Sequence, residues 1–252
     1  MTGKPKASRT KGSSNNNSKK KLFVGAGAAA GIIAIVVAFV MGGSTNQATT
    51  ASSQDPIIAK IAAPSMPGAA ALGSSSAKVT IVEFGDYQCN SCELFYKETK
   101  DQLLANYVNT GKAKFLFKDF PINDVILQPP NASSLAAEAS YCAADQGKYW
   151  QYHDELYNNQ KKEGIVWVSE DVLKQFATNV GIKDPAQFSQ CLDSHKYAGI
   201  VKDNYNLAMQ LGFNATPTFV IMEDGKQPVK LVGAYPYVEF DKVLTDLQNG
   251  QA

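Results

Sequence analysis

Apolar and polar positions divide the chain after residue 21 into three stretches. Residues 22–41 read LFVGAGAAAGIIAIVVAFVM, an apolar run with no charge and no proline. As a helix rising about 1.5 Å per residue, this run spans about 30 Å, the thickness of the hydrocarbon core of a bilayer. Residues 42–76 are rich in Ser, Thr, Ala, Gly and Pro, and this composition predicts a flexible linker. The patterns of a folded domain begin after it, so we expect that domain at 77–252.

From residue 79 onwards, short β-branched runs alternate with amphipathic helical patterns. Strands are predicted at 79–84, 114–118, 218–222 and 229–232. One helix is predicted between the first two strands and another at 238–248, while residues from about 130 to 212 carry helical signals throughout.

The order of these elements indicates the fold class. A strand, a helix and a strand in succession require a parallel pair with a right-handed crossover. Asp224-Gly225 predicts an antiparallel hairpin between the last two strands. We therefore expect an α/β fold with a small mixed sheet, helices on its faces and a helical insertion at about 130–212.

The distribution of charge predicts how the chain lies across a membrane. Residues 1–21 hold seven basic side chains and no acid, which leaves 17 basic against 23 acidic residues elsewhere. By the positive-inside rule the tail 1–21 stays cytoplasmic, 22–41 is a single transmembrane signal-anchor, and the C-terminal domain lies outside the cell membrane. A cleaved signal peptide is the alternative, but it has a shorter apolar core and a small-x-small cleavage site. The net charge of about −6 after the tail argues against nucleic acid as a partner.

Two of the four cysteines form a C-x-x-C pair where the first predicted strand passes into a helix. Cys89 then lies at the helix N-terminus, where free N–H groups and the helix dipole favour a thiolate. Cys92 lies one turn further on, close enough to attack a mixed disulfide at Cys89. This placement predicts Cys89 as the nucleophile and Cys92 as the more buried resolving thiol. Zinc binding by the pair with a histidine is the alternative, which the strand-to-helix setting disfavours.

Glu83 and Thr216-Pro217 are the other candidates for this chemistry. Glu83 interrupts an apolar strand and is predicted to point inward, where burial raises the pKa of a carboxyl group and lets it exchange a proton with Cys92. A glutamate facing water from an edge strand is the alternative. Pro217 stands just before a strand, where no ladder donor is needed. If the bond before Pro217 is cis, the backbone of Thr216 is free to pair with an extended substrate.

The stretch 82–92, VEFGDYQCNSC, together with Thr216-Pro217-Thr218, resembles the DsbA family of thiol–disulfide oxidoreductases. The resemblance covers residues 77–250 and includes the helical insertion, which distinguishes this family from plain thioredoxin. It implies a thioredoxin-like fold, Cys89 as the attacking thiol, Glu83 as the buried carboxylate and Pro217 as a cis-proline. It also implies an exported protein that oxidises the thiols of unfolded or partly folded exported proteins. The resemblance further implies no cofactor beyond the redox-active disulfide Cys89–Cys92, and a quinone-linked membrane partner that reoxidises it.

Asn90 and Ser91 depart from the family pattern. Many oxidising members carry a histidine inside the C-x-x-C, which helps to stabilise the thiolate. Asn90 and Ser91 can donate hydrogen bonds at the substrate-binding surface but supply no charge. We therefore expect a weaker oxidant than the best-known members.

Cys142 and Cys191 lie in two different predicted helices of the insertion. In an oxidising compartment a structural disulfide between them is favoured over two free thiols, and some DsbA-like proteins carry a similar second bridge. His153 lies among aromatic residues and is interpreted as structural, whereas His195 is interpreted as solvated.

Three functions are compatible with these residues. The first is an oxidase that introduces disulfides into exported proteins, and the second is a reductase or isomerase on the same scaffold. Isomerases of related families usually need a dimerisation module, and none is visible, so we expect a monomer. The third is a non-enzymatic module that grips unfolded peptides, for which neither Cys89 nor Cys92 is needed.

Overall fold

The computed structural model of the protein describes residues 55–250 other than 70, 128–129, 163–164 and 166. The predicted tail at 1–21, the predicted anchor at 22–41 and the first part of the predicted linker therefore lie outside the described residues. Within the described part of the chain, no helix is both long enough and apolar enough to cross a membrane.

A short helix, α1 (Pro56–Ala62), occupies part of the segment whose composition predicts a linker. The side chain of Asp55 caps it by accepting the N–H of Ile57 at 2.9 Å, and Pro56 suits a first helical turn. Ile61 is buried against the sheet. The prediction of a linker up to residue 76 is therefore wrong from residue 55 onwards, because a few well-spaced isoleucines are enough to hold a helix on the domain.

Four strands form one mixed sheet, and the four predicted strands are confirmed. They are β1 (Val79–Gly85), β2 (Ala113–Asp119), β3 (Thr218–Glu223) and β4 (Val229–Val232). The order across the sheet is β2-β1-β3-β4, with β1 parallel to β2 and antiparallel to β3, and β3 antiparallel to β4. Every residue of the central strand β1 is buried. Leu72 forms an antiparallel bridge with Phe115, which pairs part of the outer edge of β2.

A long helical segment follows the C-x-x-C pair and leads to β2. It consists of α2 (Asn90–Phe95), the π-helical turn Tyr96–Lys100, α3 (Asp101–Leu103) and a second π-helical turn, Leu104–Val108. The insertion contains α4 (Ala132–Ala144), α5 (Tyr149–Asn159), α6 (Glu170–Asn179), α7 (Pro185–Asp193) and α8 (Ala198–Gln210). The closing helix is α9 (Tyr237–Gln248). Short 3-10 helices occur at Pro67–Ala69 and Ile122–Val125.

Both faces of the sheet are covered by apolar side chains. On one face Ile81 of β1 packs with residues of α2, α3 and α9, which include Phe95, Leu103, Phe240 and Leu244. On the other face Val82 and Phe84 pack with residues of α1 and α8, which include Ile61, Leu207 and Ala208. The alternation along β1 places Val79, Ile81 and Glu83 on the same face. The fold is thus the predicted thioredoxin-like α/β fold, with a helical insertion in the chain between β2 and β3.

Candidate active site

The two cysteines of the C-x-x-C pair lie at the end of β1, at the start of α2. Cys89 is the N-cap residue of α2, and its side chain is partly exposed. Cys92 lies one turn into the helix with 0% of its surface exposed. Both are free thiols in the structure. An attacking group from outside can therefore reach Cys89 but not Cys92.

The surroundings of the two thiols move their pKa values in opposite directions. A hydrogen bond with Cys92 is the largest cause that lowers the pKa of Cys89 to about 6. Thr216 and the backbone N–H groups of Ser91 and Cys92 lower it further, while burial acts against them. Burial is the largest cause that raises the pKa of Cys92 well above its ordinary value. The pair thus holds its negative charge at the accessible sulfur.

Glu83 lies inside the protein beneath this pair, on the strand that leads to it. Its side chain is 2% exposed, and its Oε1 has no hydrogen-bonding partner among the residues that the structure describes. Burial raises the pKa of Glu83 to about 8, although the charge of Lys100 lowers it in part. The carboxyl group is therefore protonated at neutral pH. Glu83 therefore points inward, as predicted, and does not face water.

Thr216 and Pro217 approach Cys89 from the start of β3. The peptide bond between them is cis, and the carbonyl oxygen of Thr216 lies 3.3 Å from Cys89 Sγ, which donates to it. The carbonyl oxygen of Pro217 accepts the N–H of Gly233 at 2.8 Å, which ties this segment to the end of β4. Asn90 and Ser91 are exposed in the first turn of α2, beside the accessible sulfur.

Three residues near the cysteines were not predicted from the sequence. Tyr157 of α5 donates its hydroxyl to the carbonyl oxygen of Asp86 at 3.5 Å, and Asp86 accepts the N–H of Cys89. Lys100 is buried, forms an ion pair with Asp154 and lies over the ring of Tyr96. Only Asp86 carries a sequence signal, because an aspartate directly after a strand often accepts a backbone N–H within the following turn.

The other two cysteines and the two histidines have partners other than this pair of thiols. Cys142 of α4 and Cys191 of α7 are joined by a disulfide. His153 is buried, its Nδ1 lies 3.0 Å from the hydroxyl of Tyr87, and burial lowers its pKa. His195 is mostly exposed and faces Glu138 at 3.2 Å. In the described part of the chain, no three His, Cys, Asp or Glu side chains cluster in a way that could hold a metal ion.

Comparison with known proteins agrees with this geometry. A family model described as thioredoxin matches residues 65–230. Disulfide bond formation protein D of Bacillus subtilis is 29% identical over 160 residues, which are 63% of this chain and 69% of the relative. The crystal structure of oxidised BdbD from Bacillus subtilis is 27% identical, with a TM-score of 0.62, and covers 73% of this chain and 94% of that one.

A second solved structure shares the fold at lower identity. α-DsbA1 of Wolbachia pipientis has a TM-score of 0.61 at 23% identity, and the match covers 74% of this chain and 94% of that one. The insertion of helices into a thioredoxin fold is therefore common to this chain and to its structural neighbours. The chain belongs to the thioredoxin family, and within it is a DsbA-like thiol–disulfide oxidoreductase.

Proposed function

We propose that the protein is a membrane-anchored oxidase that introduces disulfides into exported proteins. One observation carries this proposal: Cys89 is the accessible thiol at the N-cap of α2, next to the buried Cys92, and these surroundings lower its pKa to about 6. A stabilised Cys89 thiolate stabilises the reduced form of the enzyme, so its disulfide passes readily to other proteins. The name of the Bacillus subtilis relative, disulfide bond formation protein D, supports the same direction of reaction.

The proposed reaction begins with the oxidised enzyme, in which Cys89 and Cys92 form a disulfide. A thiolate of the client attacks Cys89, the Cys89–Cys92 bond breaks, and Cys92 leaves with the electron pair. The high pKa of Cys92 makes it a poor leaving group, so a proton supplied by Glu83 assists its departure. Glu83 suits this role because it holds a proton at neutral pH.

A second client thiolate completes the exchange. It attacks the client sulfur of the mixed disulfide, the client disulfide forms, and Cys89 leaves as a thiolate. The low pKa of Cys89 makes it a good leaving group in this step. Two electrons have then passed from the client to the enzyme, and we propose that a quinone-linked membrane partner removes them. The carbonyl oxygen of Thr216, which lies beside Cys89, is placed to accept an N–H of an extended client chain.

The reduction potential of the Cys89–Cys92 pair in glutathione buffers tests this function. A soluble fragment should start before Asp55, because α1 is part of the folded domain. A potential well above about −200 mV supports the oxidase, whereas one near about −270 mV indicates a reductase. Without a histidine between the cysteines we expect a value below the roughly −120 mV of the strongest oxidants. Cys89→Ser, which lacks the redox pair, is the matched control. If this variant keeps the protein's effect on its client proteins, a peptide-binding module is indicated instead.

The membrane anchor needs a separate experiment. The apolar run 22–41 after a basic tail supports a single span with the catalytic domain outside the cell membrane. We expect the full-length chain to stay in the membrane fraction after an alkaline wash, and its C-terminal domain to be digested by protease added to intact spheroplasts. Deletion of residues 22–41 is the control. Release of the full-length chain by the wash, or protection of its domain from protease, would contradict this topology.

A further inference from the structure

Asp86 is a buried carboxylate next to the cysteines that has no part in the steps proposed above. It follows β1 directly and is 2% exposed. Its Oδ1 accepts the N–H of Gln88 at 2.8 Å, and its Oδ2 accepts the N–H of Asn123 at 2.9 Å. Burial is the largest cause that raises its pKa to about 7, and these two hydrogen bonds act in the opposite direction. Both oxygens are thus used for backbone N–H groups on two separate segments.

The backbone of Asp86 contacts both cysteines. Its carbonyl oxygen accepts the N–H of Cys89 at 3.0 Å. Its own N–H is directed at the sulfur of Cys92 and favours the charged form of that thiol. A displacement of Asp86 therefore moves the start of α2 relative to the strand that supports it.

Side-chain contacts connect the same turn to the helical insertion. Asn123 belongs to the 3-10 helix Ile122–Val125, and the next residue, Asp124, accepts the N–H of Ser133 at 2.7 Å. The side-chain amide of Gln88 donates to the hydroxyl of Ser133 at 2.9 Å. The active-site turn, the 3-10 helix and the first turn of α4 therefore form one hydrogen-bonded unit, in which Asp86 is the acceptor that joins the turn to the 3-10 helix.

We propose that Asp86 is a positioning residue of the thiol–disulfide reaction, whose carboxylate fixes the turn that presents Cys89 at the start of α2. The proposal rests on the role of Cys89 proposed above. The Cys89 thiolate is stabilised by a hydrogen bond with the Cys92 thiol, by Thr216, and by the N–H groups of Cys92 and Ser91. A turn that is no longer held in place moves the sulfur away from these donors, so less thiolate forms at a given pH.

The other titratable groups at the site are known, so their effects can be separated. Glu83 lies on β1, Cys89 and Cys92 at the start of α2, Lys100 at the end of the π-helical turn Tyr96–Lys100, Tyr157 on α5, and Asp124 on the 3-10 helix. Cys92 and Tyr157 have pKa values raised above their ordinary ones, so neither titrates near neutral pH. Thiolate reactivity at Cys89 between pH 5 and 8 therefore reports on Cys89 and on the carboxyl groups around it.

The test is the rate at which iodoacetamide alkylates Cys89 in the reduced full-length protein as a function of pH, measured by mass spectrometry of the Cys89 peptide. For Asp86→Ala we expect the midpoint to rise by about one pH unit, the effect of one lost hydrogen bond to a charged group, so the rate at pH 5, below the midpoint, should fall about tenfold. Asp86→Asn keeps an oxygen for the N–H of Gln88, so its profile should lie between those of wild type and Asp86→Ala.

Asp119→Asn is the matched control. Asp119 is also a buried carboxylate, but its hydrogen bonds go to Tyr141 and Asn204 rather than to the active-site turn. This variant should unfold at a lower temperature and keep the wild-type alkylation profile. A wild-type profile in Asp86→Ala, or in Asp86→Asn if the alanine variant does not fold, overturns the proposal. An equal shift in Asp119→Asn overturns it too, since it indicates general loosening.

The alkylation profile is independent of the direction of the redox reaction. A thioredoxin-like potential together with a shifted profile in Asp86→Ala would reject the oxidase and retain the role of Asp86. An oxidising potential together with an unshifted profile in Asp86→Ala would retain the oxidase and reject the role of Asp86.

Discussion

The thiol of Cys89 lies 3.3 Å from the carbonyl oxygen of Thr216, although 127 residues separate the two in the chain. Cys89 follows β1 and Thr216 precedes β3, and these strands pair in antiparallel register with Phe84 opposite Thr218. The end of one strand is therefore next to the start of the other. The pairing of the sheet, rather than any local motif, places the backbone of Thr216 beside the accessible thiol.

Removal of the resolving thiol should trap a mixed disulfide. In Cys92→Ala no second thiol can attack a disulfide formed at Cys89. We expect a covalent adduct after incubation of this variant with a disulfide-containing peptide, visible by non-reducing electrophoresis and reversed by dithiothreitol. Cys89→Ala should give none. An adduct that persists in Cys89→Ala would show that another cysteine is the nucleophile.

The hydroxyl group of Thr216 should contribute to the acidity of Cys89. Thr216 is among the groups that lower the pKa of Cys89 to about 6. Thr216→Val keeps the shape of the side chain and removes the donor, so the pKa of Cys89 should rise by about 0.5 to 1 unit, as for one hydrogen bond. The ultraviolet absorbance of the thiolate measures this titration. Thr218→Val, whose hydroxyl donates to the carbonyl oxygen of Ala215, should not change it.

Glu83 should make the stability of the reduced protein depend on pH. Its pKa is about 8 in the folded protein and 4.5 as an ordinary glutamate. Between these values the unfolded chain releases the proton and the folded protein keeps it, so the free energy of unfolding decreases as pH rises from about 4.5 to about 8.

The matched variant for this effect is Glu83→Gln, which is neutral in both states. Relative to this variant, the free energy of unfolding of wild type should fall by up to about 5 kcal/mol as pH rises across that range. Cys89 acts in the opposite direction above pH 6, because its pKa is lowered on folding. Both proteins contain Cys89, so most of its contribution is common to them, although its charge also raises the pKa of Glu83. Denaturant unfolding at several pH values measures the difference, and parallel pH dependences would show that Glu83 is ionised in the folded state.

The disulfide in the insertion should stabilise the fold without taking part in the exchange. Cys142 and Cys191 are 49 residues apart, and a loop of this length is worth about 4 kcal/mol in the loop-entropy description. Replacing both by alanine should lower the free energy of unfolding by about that amount. The alkylation rate of Cys89 should stay unchanged. A changed rate would show that the insertion transmits strain to the active site.

Helix α1 should contribute to stability through Ile61. This side chain is 2% exposed and packs with Val82 and Phe84 beneath the sheet. Ile61→Ala should lower the free energy of unfolding by about 2–4 kcal/mol. Lys60→Ala, at an exposed position of the same helix, is the control and should change it by less than about 0.5 kcal/mol. Equal effects of the two variants would contradict the packing described for α1.

The strands, the helix after the cysteines and the insertion were predictable because their patterns are local. The inward direction of Glu83 followed from the alternation along β1, since Val79, Ile81 and Glu83 share a face. Helix α1 was missed because the average composition of residues 42–76 concealed the start signal Asp55-Pro56 and the isoleucines that follow it. Composition is an average over many residues, whereas one buried side chain can decide whether a segment is part of the domain.

The contacts of Asp86 could not have been predicted. One of its two N–H partners, Asn123, comes 37 residues later in the chain, after β2 and at the start of a 3-10 helix. Whether that N–H reaches the carboxylate depends on the parallel pairing of β1 with β2 and on the turn that follows. The ion pair of Lys100 with Asp154 could not have been predicted either, because it joins the π-helical turn to α5, two elements distant in the chain.

If residues 22–41 anchor the chain as proposed, the position of α1 limits how far the enzyme can act from the lipid surface. For a chain held in the membrane through 22–41, only the 13 residues 42–54 lie between the anchor and Asp55. Fully extended, these residues cover about 45 Å, close to the diameter of a domain of this size, whereas a linker up to residue 76 would cover about 120 Å. Such an enzyme would meet polypeptides as they leave the membrane, while their cysteines are still unpaired, and would have little access to proteins that have already diffused away.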